Sequence, residues 1–189
     1  VLHGSGATRV KAGLHYIAIN LAASALFLIG VSLIYGVTGT LNMADLAVRI
    51  PLVPAANRGL LEAGAGVLGV AFLVKAGIWP LGFWLPTTYA AAAPPIAALF
   101  AILSKVGIYV ILRLTLLFFG DGSGASAHLA DAWLFYGGVA TIAFGATGVL
   151  ASQTLARTAG FCALVSSGTL LAMIGYENAG VTAGALYHL

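Results

Sequence analysis

Two lysines lie within long apolar stretches of the sequence, where a charged side chain is costly. Lys75 is part of VAFLVKAGIWPLGFWLP, and Lys105 lies near the middle of the next apolar run, thirty residues further along. A charged lysine near the centre of a bilayer costs roughly 2.5–3.5 kcal/mol on insertion scales, so it usually faces a cavity, a partner or a water path. Both lysines are therefore candidates for a proton relay, since burial favours the neutral amine. The alternative is that helix carbonyls merely satisfy both amines.

Pro80 follows Lys75 by five residues and predicts a break in the helix that carries this lysine. Proline has no backbone N–H, and its ring clashes with the preceding turn. The carbonyls that it frees must be satisfied by water, by neighbours or by an ion. The stretch is therefore a candidate ion or proton site.

The composition is that of a membrane protein. Of the 189 residues, 61% are hydrophobic and 7% are charged, whereas about a quarter of the residues in soluble domains are charged. The net charge of +3 comes without a Lys/Arg cluster, so nucleic-acid binding has no electrostatic basis. The single cysteine, Cys162, excludes an intrachain disulfide and the recurrent thiol metal motifs. No nucleophile triad, phosphate loop or metal-ligand spacing is present, so we expect no enzyme, no cofactor and no metal site.

Apolar runs long enough to cross a bilayer core of about 30 Å recur along the chain. They predict an all-α, polytopic membrane protein with a single transmembrane domain over residues 1–189. The predicted spans are about 14–35, 60–85, 96–119, 133–151 and 158–176, with the start of another at 181–189. The chain begins without Met on a polar segment and stops as an apolar run is starting, so we expect a fragment of a longer protein.

Three other patterns have structural interpretations. Asp45 and Arg49 are four residues apart, which predicts a surface ion pair on one helix face. Gly64, Gly66 and Gly69 form G-x-G-x-x-G, but a dinucleotide site needs a preceding strand. Inside a predicted span, these glycines indicate close helix packing instead.

Polar residues within the first span are Asn20, Ser24 and Ser32. Such residues favour hydrogen bonds to neighbouring helices over a role in a transport path.

The charges in the loops differ between the two membrane faces. Arg9, Lys11 and Arg157 are predicted on one side and Arg49, Arg58 and Arg113 on the other. This equal number of basic residues does not decide the orientation by the positive-inside rule. The acids all fall on the second side: Asp45, Glu62, Asp121, Asp131 and Glu177. This difference favours a cytoplasmic N-terminal stretch.

Lys75–Leu114, KAGIWPLGFWLPTTYAAAAPPIAALFAILSKVGIYVILRL, resembles a known family. The family comprises the proton-conducting subunits shared by Mrp-type multisubunit cation/proton antiporters and respiratory NADH:quinone oxidoreductase. YGVTGTLNMADLA (Tyr35–Ala47) and LVSSGTLLAMIG (Leu164–Gly175) are more similar to the D subunit of the Mrp antiporter. The respiratory pattern P-L-H-T-W-L-P-D-A is PLGFWLPTT in this chain.

The resemblance implies a broken transmembrane helix within an inverted-repeat helix bundle. It matches Lys75 to the family's principal proton-relay lysine and Lys105 to the lysine that passes protons onward. The glutamate that pairs with the first lysine would precede Val1.

The implied function is proton translocation coupled to export of Na⁺ or another monovalent cation. The resemblance also implies that the protein is one subunit of a hetero-oligomeric complex in the bacterial cytoplasmic membrane. One alternative is a proton-pumping subunit of a respiratory NADH:quinone oxidoreductase or a related hydrogenase, which itself holds no redox centre. Another is a purely structural membrane subunit.

Overall fold

The computed structural model of the chain describes residues 6–176 and 178–189, and its regular structure over those residues is entirely helical. The helices are α1 (Ala7–Thr38), α2 (Met43–Arg49), α3 (Ala55–Ala76), α4 (Trp84–Ala91), α5 (Pro94–Phe118), α6 (Asp131–Ala151), α7 (Leu155–Ile174) and α8 (Ala179–His188). Short 3₁₀ helices lie at Ile50–Leu52, Leu81–Phe83 and Asp121–Ser126. The all-α class predicted from the sequence is confirmed.

Five segments are long and apolar enough to cross a membrane: Arg9–Thr38, Ala55–Ala91, Pro94–Phe118, Asp131–Ala151 and Leu155–Ile174. Most of their limits lie within about three residues of the sequence-based ones, and two differences are larger. The first helix begins at Ala7 rather than near residue 14. The predicted span 60–85 consists of α3, an interruption and the start of α4. The short helix α8 lies where the start of a further span is predicted.

Helix α3 lies between α1 and α5. Its contact with α1 is close because Gly30 faces Leu68, where an added Cβ would lie 2.8 Å from the leucine Cβ. Gly64 faces Leu33 in the same way, at 3.0 Å. The packing interpretation therefore holds for Gly64.

The same interpretation is wrong for the other two glycines of the motif. An added Cβ at Gly66 or Gly69 would meet no atom within 4 Å. Both residues line a cavity of about 330 Å³ between α3, α5 and α6, with Glu62 at one end.

Helices α6 and α7 pack through facing glycines. A Cβ at Gly138 would lie 2.5 Å from the backbone nitrogen of Ala172, and one at Gly168 would lie 2.8 Å from the carbonyl oxygen of Gly138. Because the nearest atoms belong to the backbone, the two helices could accept a side chain here only by moving apart. Leu170 and Leu171 of α7 are completely buried, in a core cluster that also includes residues of α3, α5, α6 and α8.

The connections at the end of α1 are held by local polar contacts. Arg49 Nε donates to Asp45 Oδ1 at 2.9 Å, which confirms the predicted ion pair. Hydrogen bonds from Arg49 and then from Thr40 lower the pKa of the exposed Asp45 carboxyl. At the same membrane face, Arg58 donates to the carbonyl of Ser123 at 2.7 Å.

We expect Gly138→Ala to destabilise the full-length protein by about 1–3 kcal/mol, the usual cost of overpacking. The cause is the contact with the backbone of α7. The measurement is thermal unfolding of the purified full-length protein. Gly66→Ala is the matched control, because its Cβ would point into open space. Equal unfolding temperatures for the two variants would contradict the packing described for α6 and α7.

Candidate functional site at the helix break

The helix that carries Lys75 ends at Ala76, four residues before Pro80. Gly77 terminates it in the left-handed conformation, with φ 83°. A Cβ at this position would lie 2.9 Å from side-chain atoms of both Leu164 and Leu85. Only glycine suits both the dihedral angle and the space. Gly77 ends the helix, and Pro80 belongs to the non-helical connection that follows. That Pro80 causes this break stays a prediction.

Side chains from neighbouring helices satisfy backbone groups that the break frees. The indole Nε1 of Trp84 donates to the carbonyl of Val74 at 3.1 Å. The backbone N–H of Trp79 donates to Thr141 Oγ1 on α6 at 2.8 Å. Trp84 and Thr141 are both buried. Their hydrogen bonds allow a helix to stop within an apolar layer, where an unsatisfied backbone group costs several kcal/mol.

Lys75 lies in the last turn of α3 with its side chain half-buried. Its Nζ donates to Asn20 Oδ1 on α1 at 3.4 Å. Asn20 is itself oriented by α1, because its Nδ2 donates to the carbonyl of Tyr16 at 2.9 Å. Within residues 6–176 and 178–189, no carboxylate forms an ion pair with this amine. The neutral amide of Asn20 accepts a hydrogen bond from the amine without forming an ion pair.

A cavity of about 270 Å³ adjoins the Lys75 side chain. Its lining combines the polar groups of Asn20 and Ser104 with the rings of Tyr16, Trp84 and Phe100. A space of this size and polarity can hold several water molecules. The amine of Lys75 therefore borders a space that contains polar groups.

Lys105 lies on α5, one residue after Ser104, which lines the cavity beside Lys75. Its Nζ donates to Ser166 Oγ on α7. Two residues further on, α5 comes close to α3, because a Cβ at Gly107 would lie 3.7 Å from that of Lys75. The structure thus places the two predicted lysines on adjoining helices, each with a different neutral partner.

Ser167, next to Ser166 on α7, has a buried hydroxyl without a hydrogen-bond partner among the described residues. A buried hydroxyl in this state is costly and can be satisfied by an internal water. Sequence reasoning gave Ser166 and Ser167 no role. Their polarity within a predicted span was the feature that could have identified them.

Asn20 is the main site residue that sequence reasoning missed. Its polarity within a span was visible, but its partner lies 55 residues away and was not predictable from spacing. The hydrogen bonds of Trp84 and Thr141 were missed for the same reason. No group of three or more His, Cys, Asp or Glu side chains that could hold a metal ion occurs in the part of the chain that the structure describes.

Comparison with known proteins gives the family. A model described as "NADH:quinone oxidoreductase/Mrp antiporter, TM" matches residues 2–189. The chain belongs to this family. The resemblance seen in the Lys75–Leu114 run is therefore confirmed.

Relatives in this family include antiporter subunits of the D type. The chain is 65% identical over 189 residues to the probable K(+)/H(+) antiporter D subunit of Rhizobium meliloti (strain 1021), covering 100% of this chain and 35% of that protein. It is 38% identical to the Na(+)/H(+) antiporter D subunit of Bacillus subtilis (strain 168), covering 100% of this chain and 37% of that protein. The chain thus spans about a third of the length of these relatives.

Solved structures of membrane complexes have the same fold. One is the Mrp complex from Dietzia sp. DQ12-45-1b, with a TM-score of 0.79 and 27% identity over 97% of this chain and 33% of that chain. Another is the membrane-bound sulfane sulfur reductase, an archaeal respiratory membrane complex, with a TM-score of 0.89 and 25% identity over 98% of this chain and 37% of that chain.

We expect Trp84→Phe to destabilise the full-length protein by about 1–3 kcal/mol, because the ring is kept while the carbonyl of Val74 loses its donor. Thermal unfolding measures this change. Trp133→Phe is the matched control, since Trp133 is 81% exposed. A Trp84→Phe variant as stable as the control would show that the break does not need this hydrogen bond.

Proposed function

We propose that the full-length protein is a membrane subunit of a multisubunit monovalent cation/H⁺ antiporter in the bacterial cytoplasmic membrane. It works as part of a transporter rather than as an enzyme, in a complex with other subunits. The observation that carries the proposal is the half-buried amine of Lys75 at the end of a broken helix, beside a cavity with polar groups. The names of the antiporter relatives support the same function.

In the proposed mechanism, Lys75 holds a proton with Asn20 Oδ1 as its acceptor. The proton leaves through water in the adjoining cavity and reaches Lys105, whose amine contacts Ser166. The break between Gly77 and the start of α4, including Pro80, gives water access to the amine. The family resemblance adds a glutamate, outside this sequence, that alters the proton affinity of Lys75 as it approaches or leaves.

We propose that all the described helices belong to one transmembrane domain. The five candidate spans cross the membrane, and α8 begins a sixth. In the longer protein, this piece lies where one inverted repeat ends and the next begins.

The cation that we expect from the sequence is Na⁺, as in the name of the Bacillus subtilis relative. The relative with 65% identity is named for K⁺ instead. The transport assay must therefore include both ions.

A second candidate is a proton-pumping subunit of a respiratory complex. The N subunit of NADH-quinone oxidoreductase from Desulforudis audaxviator (strain MP104C) is 30% identical over 190 residues, covering 97% of this chain and 36% of that protein. The structural match to the archaeal respiratory complex favours the same alternative. Co-purification of electron-transfer subunits with the full-length protein would support it over the antiporter.

We expect Lys75→Ala to abolish cation-dependent proton exchange, because the relay loses its amine. The assay uses everted vesicles of an antiporter-deficient host that express the full-length protein with its associated subunits. A pH-sensitive dye reports the proton gradient as Na⁺ or K⁺ is added.

Arg113→Ala is the matched control, because it also removes one basic side chain, from the exposed surface of α5. The control should retain exchange. Normal exchange in Lys75→Ala at equal abundance would refute the relay and favour a purely structural role.

We expect Asn20→Ala to slow exchange about tenfold, which corresponds to about 1.4 kcal/mol and is comparable to a hydrogen bond to a charged group. The same dye assay measures the rate. Ser24→Ala is the control on the same helix, one turn away, where the hydroxyl only donates to the carbonyl of Asn20. If both variants slow exchange equally, Asn20 acts through α1 and not through Lys75.

A further inference from the structure

The cavity between α3, α5 and α6 is mostly apolar and has one carboxylate at its end. Its volume of about 330 Å³ lies within the range of ligand-binding pockets. Of the described residues that line it, Glu62 alone is charged. Part of the space exists because Gly66 and Gly69 of α3 have no side chain there, and an added Cβ at either would meet no atom within 4 Å. The cavity shares no described lining residue with the one beside Lys75.

Glu62 differs from the other acids at its membrane face because it has no basic partner. The other described acids contact basic side chains: Asp45 with Arg49, and Asp121 and Asp131 with His128. Within residues 6–176 and 178–189, Glu62 only accepts a hydrogen bond, at Oε1 from Ser126 Oγ. Arg58, one turn earlier on α3, donates to the carbonyl of Ser123 instead. The predicted position of Glu177 on this face falls outside the described residues.

Glu62 and Thr115, the two described lining side chains with oxygen atoms, are suited to accept hydrogen bonds. An ionised carboxylate has no proton to donate, and Glu62 Oε2 has no partner among the described residues. The hydroxyl of Thr115 already donates to the carbonyl of Leu112 at 2.9 Å, but its oxygen can still accept. A ligand that suits both groups donates protons and carries positive charge, as an ammonium group does. Glu62 would repel a phosphate or a carboxylate.

The remaining walls of the cavity are hydrocarbon and aromatic. Three of the residues that form them are exposed at its opening: Leu129 by 57%, Val70 by 40% and Trp133 by 81%. Val70 and Trp133 belong to segments that are apolar and long enough to cross a membrane, and the proposed membrane position places this opening in or beside the apolar layer. A carboxylate next to such a space is costly without a counter-charge. The ligand therefore needs hydrocarbon as well as a cation.

We propose that this cavity binds a lipophilic amine in its charged form. The ammonium group contacts Glu62, and the hydrocarbon lies between α3, α5 and α6. A free amine suits the cavity better than the headgroup of phosphatidylethanolamine, because the described lining has no Lys or Arg side chain for a phosphate. The site is separate from Lys75, and its occupancy can be measured without transport.

The test uses the purified full-length protein in lipid nanodiscs and two photoreactive probes with the same hydrocarbon chain, a primary amine and an alcohol. Mass spectrometry locates the labelled peptides. We expect saturable labelling by the amine in the peptides that contain Gly66 and Trp133. The alcohol should bind about tenfold more weakly, because it makes no charge-assisted hydrogen bond. Glu62→Gln should weaken binding of the amine about tenfold for the same reason.

Gly66→Leu tests the position of the hydrocarbon, because the new side chain fills the cavity and should abolish saturable labelling. Gly36→Leu is the matched control, since an added Cβ at Gly36 on α1 also meets no atom within 4 Å. Asp45→Asn is the control for charge, because it removes another acid at the same membrane face. Both controls should bind the amine like the wild type. Should Gly66→Leu fail to accumulate, Gly69→Leu gives the same test.

Four outcomes would overturn the proposal. Equal affinity for the amine and the alcohol would show an apolar pocket without recognition of charge. Unchanged affinity of Glu62→Gln for the amine, at equal abundance and unfolding temperature, would exclude the carboxylate as its partner. An equal loss of labelling in Gly66→Leu and Gly36→Leu would place the probe elsewhere. Full displacement of the amine when phosphatidylethanolamine replaces phosphatidylcholine in the nanodiscs would assign the cavity to a phospholipid headgroup.

Discussion

The structure depends on a helix that stops inside an apolar layer with its backbone still hydrogen-bonded. Trp84 donates to the carbonyl of Val74, and Thr141 accepts from the N–H of Trp79. Without such partners, each freed group would cost several kcal/mol in lipid, and a continuous helix would be favoured. Helices α4 and α6 thereby stabilise the interruption, and the interruption fixes the position of Lys75 at the end of α3.

That position explains how a lysine is tolerated at this depth. The last carbonyls of a helix favour a cation, and Lys75 lies in the last turn of α3. Its amine has one amide acceptor and a cavity beside it. Lys105 differs, because it lies within α5 and its amine contacts a hydroxyl from α7. In the proposed mechanism, two amines with neutral partners on adjoining helices suit proton transfer better than two fixed ion pairs would.

Much of the fold was predictable, because the membrane spans follow from hydropathy. Charged residues within apolar runs are also easy to detect in the sequence. Lys75 and Lys105 were singled out for that reason, and their role as a relay stays a prediction. The exact end of α3 was not predictable, since a positive φ at Gly77 depends on Leu85 and Leu164 closing around it. A hydrogen bond from Asn20 to a neighbouring helix was expected, but the sequence did not identify Lys75 as its partner. Spacing also cannot show that Gly64 packs against a helix while Gly66 faces a cavity.

In the proposed mechanism, exchange requires an amine at position 75 that water can reach. Chemical replacement tests this requirement most directly. Lys75→Cys is made in the full-length protein after Cys162 and every other cysteine have been replaced by Ser. Treatment with 2-bromoethylamine then restores an amine of nearly the same length. We expect cation-dependent proton exchange to be absent before treatment and to return after it. A neutral methanethiosulfonate reagent should restore no exchange. Equal recovery with both reagents, or no recovery despite complete aminoethylation by mass spectrometry, would contradict the relay.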